Sequence, residues 1–150
     1  MRYRGVAVCA GVALSQSFRL SPLPEFDYDL RAAVSPERAK QVYREASVQL
    51  ENEFRLTAEQ SGGTNAELLE VQLAMLNDES FAELIGSGIA AGYAPETAVL
   101  RAARNFEQML AALDDEYMAA RADDVRDLGV RLACKIANQP YPSLVGLTED

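Results

Sequence analysis

The chain is predicted to be mainly α-helical: an antiparallel four-helix bundle with a broken second helix, plus a short N-terminal β-strand pair from an incomplete α/β subdomain. Apolar residues recur at three- and four-residue steps through most of residues 35–138. Proline and glycine stand where helices begin and end, and the connections are short, which favours antiparallel neighbours. Residues 3–20 instead alternate β-branched side chains around Gly11, as strands do.

Helix 1 has a defined start. Ser35 can accept hydrogen bonds from exposed backbone amides as the N-cap, Pro36 loses no hydrogen bond at the first helical position, and Glu37 suits the positive end of the helix dipole. The helix is expected to end near Glu59, before Gly62 and the glycine that follows. Its apolar stripe comprises Ala39, Val42, Tyr43, Ala46, Leu50 and Phe54.

Helix 2 is predicted to begin at Thr64 or Asn65 and to break after Asn77-Asp78. Beyond the break a shorter helix carries Phe81, Leu84 and Ile85, and Gly86, Gly88 and Gly92 are expected to loosen and end it. The first part has two apolar stripes, one of Leu69, Leu73 and Leu76 and the other of Leu68, Val71 and Met75. Two stripes indicate either a central helix buried on both sides or a partner surface.

Helices 3 and 4 complete the bundle. Helix 3 is predicted to start at Pro95, and helix 4 after the acidic residues 114–116. Asp127–Arg131 and Asp123–Arg126 have the spacing of ion pairs on the outer face of helix 4, which should end at residues 138–142. Helix 3 carries Val99, Ala102, Phe106, Met109, Leu110 and Leu113, and helix 4 carries Tyr117, Val125, Leu128, Leu132 and Ile136.

The predicted organisation has four parts. Residues 1–20 are the strand pair, 21–34 a linker over the surface, 35–138 the helical subdomain and 139–150 a return segment toward the strands. Two short strands cannot bury a hydrophobic face by themselves, so the β part is expected to be incomplete.

Composition limits the function classes. The 150 residues suffice for one core, and the net charge of −9 disfavours nucleic acid and anionic lipid. That charge favours a basic partner, or it serves solubility alone. Cys9 and Cys134 are far apart and without metal-ligand spacing, which fits a reducing cytoplasm. Residues 1–14 have some features of a signal peptide, but Gly5 and Gly11 interrupt the apolar run, and no segment is long enough to span a membrane.

No catalytic motif is visible in the sequence. There is no histidine, and Gly86-Ser87-Gly88 lacks the lysine and the preceding strand of a phosphate-binding loop. The adjacent acids Asp114, Asp115 and Glu116 would point in different directions on a helix, so they cannot be assumed to share a substrate. No catalytic residue and no metal site is predicted.

Three stretches resemble Enzyme I, the phosphoenolpyruvate-protein phosphotransferase of the bacterial sugar phosphotransferase system. LDDEYMAARADDVRDLGVRL, residues 113–132, is similar to the family's helix near the end of its helical subdomain. GVAVCAGVALSQSFRL, residues 5–20, resembles its opening strands, with Cys9 where serine is usual. LEVQLAMLNDESF, residues 69–81, resembles its helix-2 motif.

The resemblance implies a cytoplasmic protein whose helical subdomain docks the histidine-containing phosphocarrier protein HPr. In that family phosphate passes from phosphoenolpyruvate through an Enzyme I histidine to HPr for sugar uptake, and full-length members use magnesium and form homodimers through a C-terminal domain. The phosphohistidine lies beyond the matched region, so this chain alone is expected to be inactive. By motif, the HPr-binding residues would be Gln72, Met75, Glu79, Phe81, Leu110 and Arg121.

Two details qualify this expectation. Gly63, Thr64 and Ser80 stand where relatives often have acids, so weaker docking is expected. Arg126 has Asp123 within reach, whereas Arg121 lacks an acid four residues before it and is the better candidate for a partner contact. The alternatives are a freestanding helical interaction module and an Enzyme I-like domain of a multi-domain phosphocarrier.

Overall fold

The computed structural model describes residues 22–60, 64–113 and 115–142, with the side chains of 64–66 and 117–120 excepted. Five helices occur in this part of the chain, and residues Leu23–Tyr141 form one compact unit. They are α1 (Pro36–Gln60), α2 (Thr64–Leu76), α3 (Glu79–Ala90), α4 (Pro95–Ala111) and α5 (Glu116–Ile136). The mainly helical prediction is confirmed, with α2 and α3 as the two parts of the broken helix. The predicted strand pair lies outside the described residues.

Helix α1 begins as its sequence predicts. The Ser35 hydroxyl oxygen accepts a hydrogen bond from the Arg38 backbone N–H at 3.3 Å, and Pro36 occupies the first helical position. Four members of the predicted stripe are buried, Ala39, Ala46, Leu50 and Phe54, while Val42 and Tyr43 are half-buried. Burial of these apolar side chains is what fixes the helix to the rest of the bundle.

The break between α2 and α3 is stabilised by an N-cap residue at the start of α3. Asp78 accepts a hydrogen bond from the Phe81 backbone N–H at 2.9 Å, so a new helix starts instead of the old one continuing. The expectation that Gly86 and Gly88 loosen α3 is wrong, because both lie inside a helix that runs to Ala90. Gly92 does end it, with a φ of 88° and its N–H bonded to the Ile89 carbonyl at 3.0 Å.

Helix α4 packs tightly against both α3 and α5. A Cβ atom added to Gly88 would lie 3.0 Å from the Ala98 Cβ, and one added to Gly129 would lie 2.4 Å from the Ala103 Cβ. Glycine therefore lets the helix backbones approach more closely than any larger residue would. Ala103 lies against Gly129, and Glu107, one turn later on α4, pairs at 2.9 Å with Arg126, which precedes Gly129 on α5. The two helices therefore run antiparallel.

The segment 22–34, predicted as a linker, is bonded along the start of α4. The buried Thr97 hydroxyl donates to the Asp27 carbonyl at 2.7 Å, and the Ala94 N–H donates to the Leu30 carbonyl at 2.9 Å. The Arg31 and Arg101 guanidinium groups lie 4.1 and 4.4 Å from the centre of the Tyr93 ring. These contacts attach the segment to the bundle.

In the part of the chain that the structure describes, none of the helices has the length and apolar character needed to cross a membrane.

Candidate functional site

A groove of about 390 Å³ opens where α2, the start of α3, the end of α4 and the first half of α5 meet. We call it the α2–α5 groove. Eight of its ten lining residues are apolar. The ten are Val71, Ala74, Met75, Asp78, Phe81, Phe106, Leu110, Arg121, Val125 and Leu128.

The floor of the groove is packed and ordered. Phe81 is only 2% exposed, and its ring meets that of Phe106 edge to face, with ring centres 5.7 Å apart and planes at 71°. Val125 and Leu128 are buried beneath them. A partner would therefore meet a preformed apolar surface.

The walls of the groove are less complete. Met75 on α2 and Leu110 on α4 are half-buried, so each keeps part of its apolar surface in water. The second predicted stripe of α2 forms this wall: Val71 and Met75 line the groove, and Leu68 beside them is 44% exposed. The first stripe faces the core, where Leu69 and Leu76 are buried. The two stripes of α2 thus differ in exposure.

Two polar residues line the groove, and both have partners within the chain. Asp78 caps α3, as described above. The Arg121 Nη1 atom lies 3.4 Å from the Asp124 Oδ2 atom, one helical turn onward. Arg121 has no acid four residues before it, as the sequence indicates, but it pairs with Asp124 three residues after it. Both side chains of this pair are partly exposed, so the pair contributes little to stability.

The structure brings together four of the six residues predicted for partner binding, Met75, Phe81, Leu110 and Arg121. Glu79 is exposed in the first turn of α3 but does not line the groove. Gln72 is 3% exposed, and its Nε2 atom donates to Asp127 Oδ2 at 3.2 Å. Sequence reasoning did not single out five lining residues, Ala74, Asp78, Phe106, Val125 and Leu128, as part of a site. Periodicity assigned the last three to the core stripes and could not show that the bundle is open here.

The two helices of the broken segment, α2 and α3, are acidic. They carry exposed Glu67, Glu70, Glu79 and Glu83 and no lysine or arginine. Exposed charges of one sign on these helices contribute a negative potential. The predicted ion pairs on α5 are confirmed, Arg126–Asp123 at 2.7 Å and Arg131–Asp127 at 2.9 Å. The side chains of the first pair are exposed, and those of the second are partly exposed.

The described residues show no arrangement for bond chemistry in the groove. No histidine, cysteine, serine or lysine is among its lining residues, and no group of three metal-ligating side chains occurs in the described ranges. Burial raises the pKa of Tyr43 and Cys134, and burial followed by the hydrogen bond to Asp127 raises the pKa of Tyr141, but none of these lines the groove. The groove can therefore bind an apolar surface.

The described residues thus form a helical bundle whose second helix is broken, with an apolar groove beside the break. A family model, PEP-utilising enzyme, N-terminal, matches residues 4–121, and the chain belongs to this family. This bears out the resemblance found in the motifs.

Individual relatives agree with the family. A phosphoenolpyruvate-protein phosphotransferase of Priestia megaterium is 28% identical over 149 residues, covering 95% of this chain and 26% of the relative. Multiphosphoryl transfer protein 2 of Escherichia coli (strain K12) is 31% identical over 156 residues, covering 97% of this chain and 18% of the relative. The chain thus spans about a quarter or less of the length of these two relatives.

The fold is also similar to a solved structure described as the N-terminal domain of Enzyme 1 - Nitrogen. The TM-score is 0.70 at 26% identity, and the match covers 81% of this chain and 53% of that chain.

Proposed function

We propose that the α2–α5 groove docks HPr, and that this chain is the HPr-binding part of a phosphoenolpyruvate-protein phosphotransferase. The observation that carries the proposal is an apolar groove left open between α2, the start of α3, the end of α4 and the first half of α5, with exposed glutamates on the broken helix. The membership of the chain in the PEP-utilising family supports it.

Apolar burial is the expected source of affinity. Met75 on α2 and Leu110 on α4 both line the groove and are half-buried, so a partner side chain that enters it would remove apolar surface of both from water. Each square ångström of apolar surface buried stabilises by about 25 cal/mol. The flexible thioether of Met75 can adapt to an irregular partner surface.

Charge is the expected source of fast and selective encounter. Glu67, Glu70, Glu79 and Glu83 are exposed on the two helices of the broken segment, which contribute to the groove, and HPr presents a basic side in this family. Complementary charge raises the association rate and disfavours acidic partners, and added salt weakens it. With glycine, threonine and serine at positions 63, 64 and 80, we expect this effect to be weaker than in relatives that carry acids there.

In the whole enzyme the chain would supply positioning. Phosphate would pass from phosphoenolpyruvate to an enzyme histidine and then to HPr, with magnesium and homodimer contacts supplied by other parts of the protein. Holding HPr in one orientation converts an encounter between two proteins into an oriented transfer. The chain contains no histidine, so we expect it to transfer no phosphate alone.

The test is a titration of the ¹⁵N-labelled chain with unphosphorylated HPr from the same source, followed by NMR at low and high salt. We expect salt-sensitive shifts at Met75, Phe81, Leu110 and Arg121, and small shifts at α1 residues such as Leu56. A folded chain without shifts at high HPr concentration would contradict the proposal and favour a freestanding module with another partner.

The 31% identity to multiphosphoryl transfer protein 2 supports a second candidate, in which the same groove works within a multi-domain phosphocarrier. The coding sequence that follows Asp150 would distinguish the two. Fusion to further phosphocarrier domains would favour the second candidate, whereas a single phosphotransferase would favour the first.

A further inference from the structure

Helix α2 has an unusually broad apolar arc. Successive residues of an α-helix are about 100° apart, so the side chains from Leu73 on one side to Val71 on the other span about 200°. Both predicted stripes lie within this arc, and Gln72 lies at its centre. The arc comprises Leu68, Leu69, Val71, Leu73, Met75 and Leu76.

A broad apolar arc does not by itself fix how a helix is rotated about its axis. If α2 turned by one residue, Leu73 would replace Gln72 toward α5, and leucine side chains would still be buried. Apolar burial is non-directional, so it distinguishes poorly between such rotational positions of α2. The wall of the α2–α5 groove depends on this rotation, because Val71 and Met75 face the groove in only one of the two positions.

Gln72 is a buried polar side chain with a directional bond. It is 3% exposed, and its carboxamide donates from Nε2 to Asp127 Oδ2 at 3.2 Å. A rotation of α2 that moved Gln72 away from Asp127 would break this hydrogen bond. If the side chain stayed buried, its amide would have no partner, which costs free energy. In coiled coils a single buried polar residue fixes register in this way.

Asp127 is itself held in place. Its Oδ2 atom also accepts from Arg131 Nε at 2.9 Å, and its Oδ1 atom accepts from the Tyr141 hydroxyl. The Arg131 guanidinium lies 4.7 Å from the centre of the Tyr141 ring. Three donors around one carboxylate make it a fixed acceptor, to which α2 is attached through Gln72.

We propose that Gln72 is a positioning residue, which sets the rotation of α2 through Asp127 and thereby turns Val71 and Met75 into the groove. Its consequence for HPr rests on the proposed function, but its consequence for the free protein does not. Gln72 would then influence docking without touching the partner, in contrast to the binding role that its motif implies.

The experiment replaces Gln72 by leucine (Gln72→Leu), which keeps the side-chain size and leaves Asp127 bonded to Arg131 and Tyr141. The readout is the ¹³C-methyl spectrum of methionine in the free protein. Met75 lies among the groove aromatics Phe81 and Phe106, whose rings make its resonance sensitive to the rotation of α2. We expect this resonance to shift or split, while that of the exposed Met109 stays unchanged.

The HPr affinity of Gln72→Leu is the second readout. If the docking-competent rotation falls to about a tenth of the population, the apparent Kd rises about tenfold. The matched control is Gln41→Leu, which removes an exposed glutamine whose Nε2 atom donates to Glu45 on α1, and it should change neither readout. If Gln72→Leu does not fold, Asp127→Ala removes the same bond from α5 and is expected to shift the Met75 resonance likewise.

The outcomes separate the two proposals. A loss of HPr affinity with an unchanged free-state Met75 resonance would overturn the positioning role and make Gln72 a direct contact. No change in either readout would also overturn it. If the wild-type chain does not bind HPr, the proposed function fails, and the free-state resonance of Met75 still decides the role of Gln72.

Discussion

The same two helices, α4 and α5, form a close small-residue contact and also contribute to the open α2–α5 groove. Near the middle of α4, Ala103 meets Gly129 so closely that an added Cβ atom would lie 2.4 Å away. Nearer the loop, Phe106 and Leu110 on α4 lie across the groove from Arg121. Small residues bring the helix backbones together at the first place, and large ones line a groove at the second.

Along this helix pair, one region is expected to determine stability and the other to determine partner binding. At Gly129 the backbone of α5 lies directly against the Ala103 methyl group of α4. This contact fixes the distance between the two helices and tolerates no added volume. A groove lined by large apolar residues can lose side-chain atoms with less effect on the fold, because Met75 and Leu110 are only half-buried. Substitutions at the two places are expected to have opposite consequences for stability and for partner affinity.

The largest effect on stability is expected for Gly129→Ala. The new methyl group would collide with the Ala103 Cβ, which is attached to a helix backbone and cannot rotate away. Overpacking of this kind costs about 1–3 kcal/mol of unfolding free energy. Urea unfolding of the variant and the wild type measures the loss.

Two controls sharpen this prediction. Gly86 also lies within a helix, but an added Cβ there meets nothing within 4 Å, so Gly86→Ala should stabilise by about 0.5–1 kcal/mol. Adding Ala103→Gly to Gly129→Ala should restore part of the lost stability by removing the colliding methyl. Equal destabilisation by the two glycine substitutions would show that helix contact is not the cause.

A smaller loss is expected for Thr97→Val, which keeps the shape of the side chain and removes the hydroxyl that donates to the Asp27 carbonyl. A neutral hydrogen bond contributes about 0.5–1.5 kcal/mol. Urea unfolding should show this loss, and amide exchange should increase in residues 27–32, because the bond attaches that segment to α4. Unchanged exchange there would mean that Thr97 does not hold the segment.

The smallest effect is expected for Arg126→Gln. Arg126 pairs with Glu107 and Asp123, but its side chain is 59% exposed, and such pairs contribute about 0–1 kcal/mol. We expect a change below about 0.5 kcal/mol that disappears at high salt. A loss comparable to that of Gly129→Ala would show that this ion pair, and not the small-residue contact, holds α4 to α5.

Much of the bundle was predictable because its signals are local. Ser35 and Pro36 mark the start of α1, the break falls at Asn77-Asp78, and Pro95 starts α4. The glycines were not predictable in this way. Glycine inside a helix is unfavourable on propensity alone, and the role of Gly88 and Gly129 depends on Ala98 and Ala103 across the contact. Sequence alone does not give that distance.

The candidate site was only partly predictable for the same reason. The motif resemblance selected Met75, Phe81, Leu110 and Arg121, which the fold brings to one groove. It also selected Gln72, whose neighbour Asp127 is 55 residues away and reaches it only in the folded chain. Periodicity indicates which face of α2 is apolar, but the arc is too broad to indicate which part of that face the bundle covers.

The central claim is that the open end of the α4–α5 pair binds HPr through apolar contact. Isothermal titration of HPr into Leu110→Ala, compared with Leu56→Ala, tests it most directly, because both variants lose the same atoms and Leu56 is 58% exposed on α1. We expect Leu110→Ala to weaken binding by about 1–2 kcal/mol, roughly 5- to 30-fold, and Leu56→Ala to leave it unchanged. Equal affinities of two folded variants would contradict the account.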